Sequence, residues 1–149
     1  MLKLALTKEV EGEFATGVFG DLIENFYRVL GERIDEMLEQ GDGLVDLILV
    51  NDKTIAGINE EYRGIKGATD VISFAYLEAG RGGVEGVMIA GDIFISIDTA
   101  RRQAEEKGHA LERELAILFV HGLLHCFGFD HNTDEEEAEM EGWPEKVLG

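Results

Sequence analysis

Leu2, Leu4 and Leu6 alternate with Lys3, Ala5 and Thr7 at the head of the chain, the two-residue period of a half-buried strand. From Thr16 to Gln40 the apolar positions Val18, Phe19, Leu22, Ile23, Phe26, Val29, Leu30, Ile34, Met37 and Leu38 recur at steps of three and four. That spacing predicts one long amphipathic helix, interrupted near Gly31. Gly41-Asp42-Gly43 ends it, and the apolar run from Leu44 to Val50 has the length and density of a strand covered on one side by helices. Asn51 or Asp52 is placed to cap a short helix through Ile55, Ile58, Asn59 and Tyr62. The segment from Arg63 to Gly67 is glycine-rich and basic, by pattern alone a solvated turn.

Thr69 to Tyr76 reads as a strand, Ala79 to Gly86 as a glycine-rich loop, and Val87 to Ile97 as a second strand with a bend or bulge at Gly91-Asp92. A hairpin is the economical way to join the two. Asp98 is the expected cap of a polar helix over Thr99 to Lys107, broken by Gly108, with His109 as an ordinary surface histidine in the connection. Leu111 to Phe127 is apolar on nearly every face in its second half, the mark of a buried, central helix. Thr133 and Glu136 form a capping box for a last helix. Its acidic run, Asp134 to Glu141, is a solvated face near the positive end, and Pro144 kinks or ends it. With no internal repeat or low-complexity linker, the succession reads as a single α+β domain over residues 1–149.

Composition narrows the setting. A chain of 149 residues, 45% apolar and 30% charged, suits one globular core without staples. A single cysteine cannot make an internal disulfide, which points to a reducing compartment. The N-terminal alternation is too short for a signal peptide or a membrane span, so the expected location is the cytoplasm. The charge is unusual: 13 Lys and Arg against 31 Asp and Glu leave −18. That balance counts against a free-standing binder of nucleic acid by phosphate neutralisation, while leaving room for chemistry at one local cationic site or through a helper protein.

The chemistry concentrates between His121 and His131, where three of the four histidines fall. His121 and His125 are four apart and stack on one helix face. Gly128 can end the helix in a left-handed conformation and bring His131 round to close a three-nitrogen site. Three protein ligands and one position for water is the count of a catalytic zinc. The pattern H-x-x-x-H-x-x-G-x-x-H has metzincin spacing, but the residue after the first histidine, where those peptidases carry their glutamate base, is Gly122. Cys126 lies about 100° round the helix from His125 and reads as a core residue rather than a fourth ligand. Asp130 is placed either to orient a ligand or take a proton, or simply to cap its loop.

The chain resembles the YbeY family of bacterial metal-dependent endoribonucleases of ribosomal RNA maturation. Its His121-Gly-Leu-Leu-His125-Cys126-Phe-Gly128-Phe129-Asp130-His131 matches the family's H-G-x-L-H-L-x-G-Y-D-H, with Cys126 for leucine and Phe129 for tyrosine. Ile58-Asn59-Glu-Glu-Tyr62-Arg63, Thr69-Asp70-Val71-Ile72-Ser73-Phe74-Ala75 and Gly91-Asp92-Ile93-Phe94-Ile95-Ser96 match three further blocks in order. Ala68 and Ala75 replace two prolines common in the family, which loosens the loop without removing a chemical group. The resemblance implies a mixed sheet of about four strands flanked by helices, with the metal in a cleft beside the buried helix. It also implies that Arg63 faces that cleft, where a guanidinium can hold a phosphate in bidentate fashion.

On this reading the protein is a zinc-dependent endoribonuclease acting on single-stranded or ribosomal RNA, in small-subunit rRNA 3′-end maturation and ribosome quality control. His121, His125 and His131 hold one zinc ion, and Arg63 and His121 are the catalytic residues. The nucleophile is either water or the substrate's own 2′-hydroxyl. The alternative is a non-catalytic ribosome-assembly factor, stabilised by the metal and docking on a small-subunit ribosomal protein, which the acidic balance suits. A membrane or DNA partner is not expected, and Gly122 argues against a peptidase.

Overall fold

The computed structural model describes residues 1–12, 16–39, 41–77 and 87–128. Strand β1 (Leu2–Lys8) leads to helix α1 (Gly17–Met37) and strand β2 (Asp42–Val50). Helix α2 (Asp52–Arg63) and strand β3 (Val71–Ala75) follow, then strand β4 (Val87–Ser96), helix α3 (Ile97–Lys107) and helix α4 (Leu111–Cys126). The strands form one sheet in the order β1-β2-β4-β3. β1, β2 and β4 run parallel, and β3 pairs antiparallel with β4 along one edge. This is the mixed, four-stranded α+β arrangement expected, including the hairpin partnership of β3 and β4.

Period-two patterning sorts each strand between the two faces. Val45, Leu47 and Leu49 of β2 and Ile93 and Ile95 of β4 point into the main core, against Phe19, Leu22, Ile23, Phe26 and Ile34 of α1 and the buried face of α4. Each such side chain contributes roughly 1.5–3 kcal/mol on burial. Phe19 meets Phe119 edge to face, ring centres 5.3 Å apart, which locks α1 to α4. On the opposite face α2 covers a smaller cluster of Val50, Ile55 and Ile72, with Ile48, Ile58, Phe74 and Phe94 beside it.

Boundaries depart from expectation where tertiary contacts intervene. The α1 interruption falls at Leu30 (φ −115°, ψ 18°), next to Gly31, and the Tyr27 hydroxyl donates across it to Asp35 Oδ1 at 2.5 Å. β2 starts two residues before Leu44 because Gly43 pairs with Leu2, and a side chain there would run into Leu38 at 2.8 Å. The bulge in β4 sits at Ala90, one residue before Gly91: Leu44 pairs with Ile89 and Val45 with Gly91.

The cap of α3 is Ser96, whose hydroxyl accepts the Thr99 amide at 3.3 Å, and not Asp98. Asp98 instead accepts the Asp52 amide of α2 at 2.9 Å. Asp52 in return accepts the Ser96 and Thr99 hydroxyls, both at 2.6 Å, and pairs with Arg102 at 2.9 Å. The start of α2 is therefore satisfied by an aspartate of α3, while Asp52 of α2 holds the serine hydroxyl that caps α3. His109 also differs from expectation. Its Nε2 lies 2.7 Å from Oε1 of Glu114, a fully buried carboxylate that Lys107 reaches at 3.2 Å. A buried glutamate needs such partners, and the α3–α4 connection supplies them. The expected last helix with Thr133, Glu136 and Pro144, and the 79–86 loop, lie outside the described residues.

Candidate active site

α4 is the platform. It is packed on the sheet by Leu115, Leu118, Phe119, Leu123 and Leu124, and it presents His121 and His125 on successive turns to a cleft of about 310 Å³. Val71, Ile72 and Ser73 of β3 form one wall, with Asp70 at the strand's start, and Arg63 comes in from the end of α2. The structure thus brings Arg63, His121 and His125 to one place from two distant helices. His131, the third ligand expected from the sequence, and Asp130 lie outside the described residues. Among the described residues no group of three His, Cys, Asp or Glu is arranged to hold a metal ion.

What places Arg63 is local. Asn51 caps α2 by accepting the Thr54 amide at 2.8 Å. Gly64 ends it in the left-handed region (φ 67°), where its amide returns to Glu60 and that of Ile65 to Asn59. The buried Asn59 then donates to the Gly67 carbonyl at 2.9 Å, tying the basic loop back to its helix. Arg63 itself is exposed, and Tyr62 lies edge-on to Phe74 at 5.3 Å. Asn59 and Tyr62 are loop-pinning and packing groups, as their residue types suggest.

Asp70 is occupied structurally. Its carboxylate accepts the Val71 amide at 2.7 Å and the Gln103 side chain at 3.2 Å, fastening the start of β3 to α3. Cys126 is fully buried against Gly91; burial first, then the charge of Asp92, pushes its thiol up to about 12. A thiol so placed is a core group and not a ligand. Gly122 has a steric reason that sequence alone did not expose. A Cβ there would lie 2.7 Å from Ile93 Cγ2 and 3.1 Å from Ser73 Oγ, so α4 rests on the sheet at this residue. The peptidase base is not merely missing; its position is closed.

A second polar group, unforeseen from the pattern, lies across the sheet. Asp46 and Asp92 are register partners on β2 and β4, and the Tyr76 hydroxyl donates to Asp92 at 2.8 Å. Burial first, then the charge and hydrogen bond of Asp92, raise the Asp46 carboxyl above its ordinary value.

The family model described as Endoribonuclease YbeY matches residues 13–149. The chain belongs to the YbeY family. A relative from Bacillus licheniformis named Endoribonuclease YbeY is 54% identical over 101 residues, 64% of this chain and 64% of the relative, so that alignment spans just under two thirds of its length. The Bacillus pumilus protein of the same name is 41% identical over 145 residues, covering 86% of this chain and 91% of the relative. The solution structure of TM1509 from Thermotoga maritima is similar at a TM-score of 0.54 and 29% identity, covering 100% of this chain and 90% of that one.

Donor chemistry fits zinc. Two imidazoles on consecutive turns of a buried helix, facing a cleft of about 310 Å³, are donors of the kind a zinc ion takes. Among the described residues, the nearby donors Cys126 and Asp70 are turned to the core and to α3.

Proposed function

We propose that this YbeY-family protein is a zinc-dependent, single-strand-specific endoribonuclease acting in ribosomal RNA processing, at the small-subunit rRNA 3′ end and in ribosome quality control. One observation carries the reading: Arg63, from the far end of α2, lines the same cleft as His121 and His125. A cation facing two imidazoles suits a phosphodiester better than a peptide, and the close packing at Gly122 counts against a peptidase base there.

His121, His125 and His131 are the residues that would hold the ion. When bound, it supplies an acidified water and a Lewis acid for a phosphoryl oxygen. Arg63 grips the scissile phosphate in bidentate fashion and offsets the charge that develops on it. β3 forms the wall against which a single strand lies. The small-subunit ribosomal protein partner, the cytoplasmic location and the absence of DNA or membrane partners belong to the same proposal. No described helix is long and apolar enough to cross a membrane.

Purified protein is expected to carry one zinc per chain by elemental analysis and to cut single-stranded RNA. Arg63→Ala should lower kcat/KM by about a hundredfold with zinc retained, and His121→Ala should lose the zinc. Cleavage by Arg63→Ala at the parent rate would overturn the reading. RNA methylated at the 2′-oxygen separates the two nucleophiles: it is cut if water attacks and survives if the 2′-hydroxyl does. The second reading, a non-catalytic assembly factor on a basic ribosomal protein, draws on the net charge of −18. It predicts zinc and ribosome association without cleavage.

A further inference from the structure

The strand wall of the cleft carries a polar group with no assigned role. β3 is apolar at Val71, Ile72, Phe74 and Ala75, and Ser73 is the exception. Ile72 and Phe74 point to the α2 face, so alternation turns Ser73 and Val71 toward α4. There the Ser73 hydroxyl lies 3.1 Å from where a Cβ on Gly122 would be. It therefore sits where the side chain of a peptidase's glutamate would start, directly after the first histidine.

Ser73 lines the cleft with Arg63, His121 and His125 and is half-buried, and its hydroxyl makes no hydrogen bond among the described residues. Among the described residues lining the cleft the one carboxylate, Asp70, is committed to Val71 and Gln103. The ladder leaves a second donor beside it. Ser96 donates to the Asp70 carbonyl at 3.0 Å and Tyr76 to the Ala90 carbonyl at 3.1 Å, a phase that turns the Ser73 amide outward from β4 to the sheet's open edge.

We propose that the Ser73 hydroxyl is a further substrate-contacting residue of this site, donating a hydrogen bond to a non-bridging oxygen of the RNA phosphodiester that Arg63 grips from the other side. A serine hydroxyl does not ionise near neutral pH, so in the space of the absent base it acts as a donor and takes no proton. The inference rests on the phosphodiesterase reading above and adds the strand wall to it.

The test is a cycle between the side chain and the phosphate oxygen. Parent, Ser73→Ala, Ser73→Thr and Arg63→Ala are assayed on a single-stranded RNA oligonucleotide with one phosphorothioate of defined configuration at the cut bond. Loss of a hydrogen bond to a charged oxygen should lower kcat about ten- to hundredfold in Ser73→Ala, with the parent's zinc content and Tm. Sulfur in one of the two configurations should slow the parent but leave Ser73→Ala no slower, because the contact it disturbs is already gone. Ser73→Thr, which keeps the hydroxyl, should retain the sulfur effect. Parent-like kcat in Ser73→Ala, or an undiminished sulfur effect in that variant, overturns the inference. If Arg63→Ala is impaired while Ser73→Ala is not, this inference alone fails; if both match the parent, the phosphodiesterase reading fails with it.

Discussion

Gly122 shows how much one hydrogen in place of a side chain can decide. The spacing of the histidines suggested a peptidase scaffold lacking its base, and the structure gives the reason in contacts with Ile93 and Ser73. Restoring the glutamate should therefore not create a peptidase. Gly122→Glu forces a longer side chain into a space where even a methyl meets Ile93, and overpacking of that kind costs about 1–3 kcal/mol. The expected outcome is a lower urea midpoint and reduced zinc content, because the displaced turn carries His121; a stable variant with full zinc would show that α4 can lift freely from the sheet. Gly91 is a second such contact, where a Cβ would strike the Cys126 sulfur and the Phe74 carbonyl. Neither was legible as a steric requirement. A glycine in a sequence marks a possible close approach but not its partner, and here the partners are distant in the chain.

Elements were read more successfully than their joints. The period of three and four gave α1, including its interruption at Leu30, and the dense apolar run gave α4 as the buried platform. The joints depend on side chains meeting across elements. Asp98 looked like a cap for its own helix and serves α2 instead, while Ser96 caps α3. His109 looked solvent-facing because nothing in its neighbourhood marks Glu114 as buried. Yet that carboxylate holds the α3–α4 junction two turns ahead of His121 on the same helix stripe. Glu114→Ala should cost about 1–2 kcal/mol, since it leaves a gap in the buried junction and removes the acceptor of His109, while the half-exposed Lys107 turns to water. Chemical denaturation would measure it; a loss below about 0.5 kcal/mol would mean that the pair behaves like an ordinary surface contact.

For the whole molecule, an excess of 18 negative charges concentrates the question of pH in a few carboxylates. Burial pushes the Asp52 carboxyl up, but hydrogen bonds from Ser96, Thr99 and Arg102, with the Arg102 charge, outweigh it and hold it below its ordinary value. Its contribution is present above the unfolded carboxylate range, near about pH 4, and is lost as pH falls through the lower folded value. Asp46 has the opposite sign. Raised by burial and by Asp92, it favours the fold below the unfolded value and loses that contribution as pH rises through the folded one. Asp46→Asn should accordingly raise Tm at pH 7 by about 2 °C, a difference that shrinks toward about pH 4, and Asp52→Asn should lower it, a difference that is lost only as pH falls below about 4. Thermal melts across that range check both signs; a pH-independent difference in either variant would assign the effect to packing. At this scale the sequence disclosed the α+β class and that Arg63, His121 and His125 share one cleft. It could not disclose that Asp46 and Asp92 are neighbours, because strand register is set by the whole sheet.

The lone cysteine offers the molecule a clock. Cys126 adjoins His125, is sealed between α4 and Gly91, and has a thiol held far from its reactive form. An alkylating reagent can reach it only during excursions in which the histidine-bearing helix parts from β4, so the labelling rate of the native protein counts those openings directly. Zinc loading or RNA binding, if either clamps the cleft, would be read as a slowing of that rate.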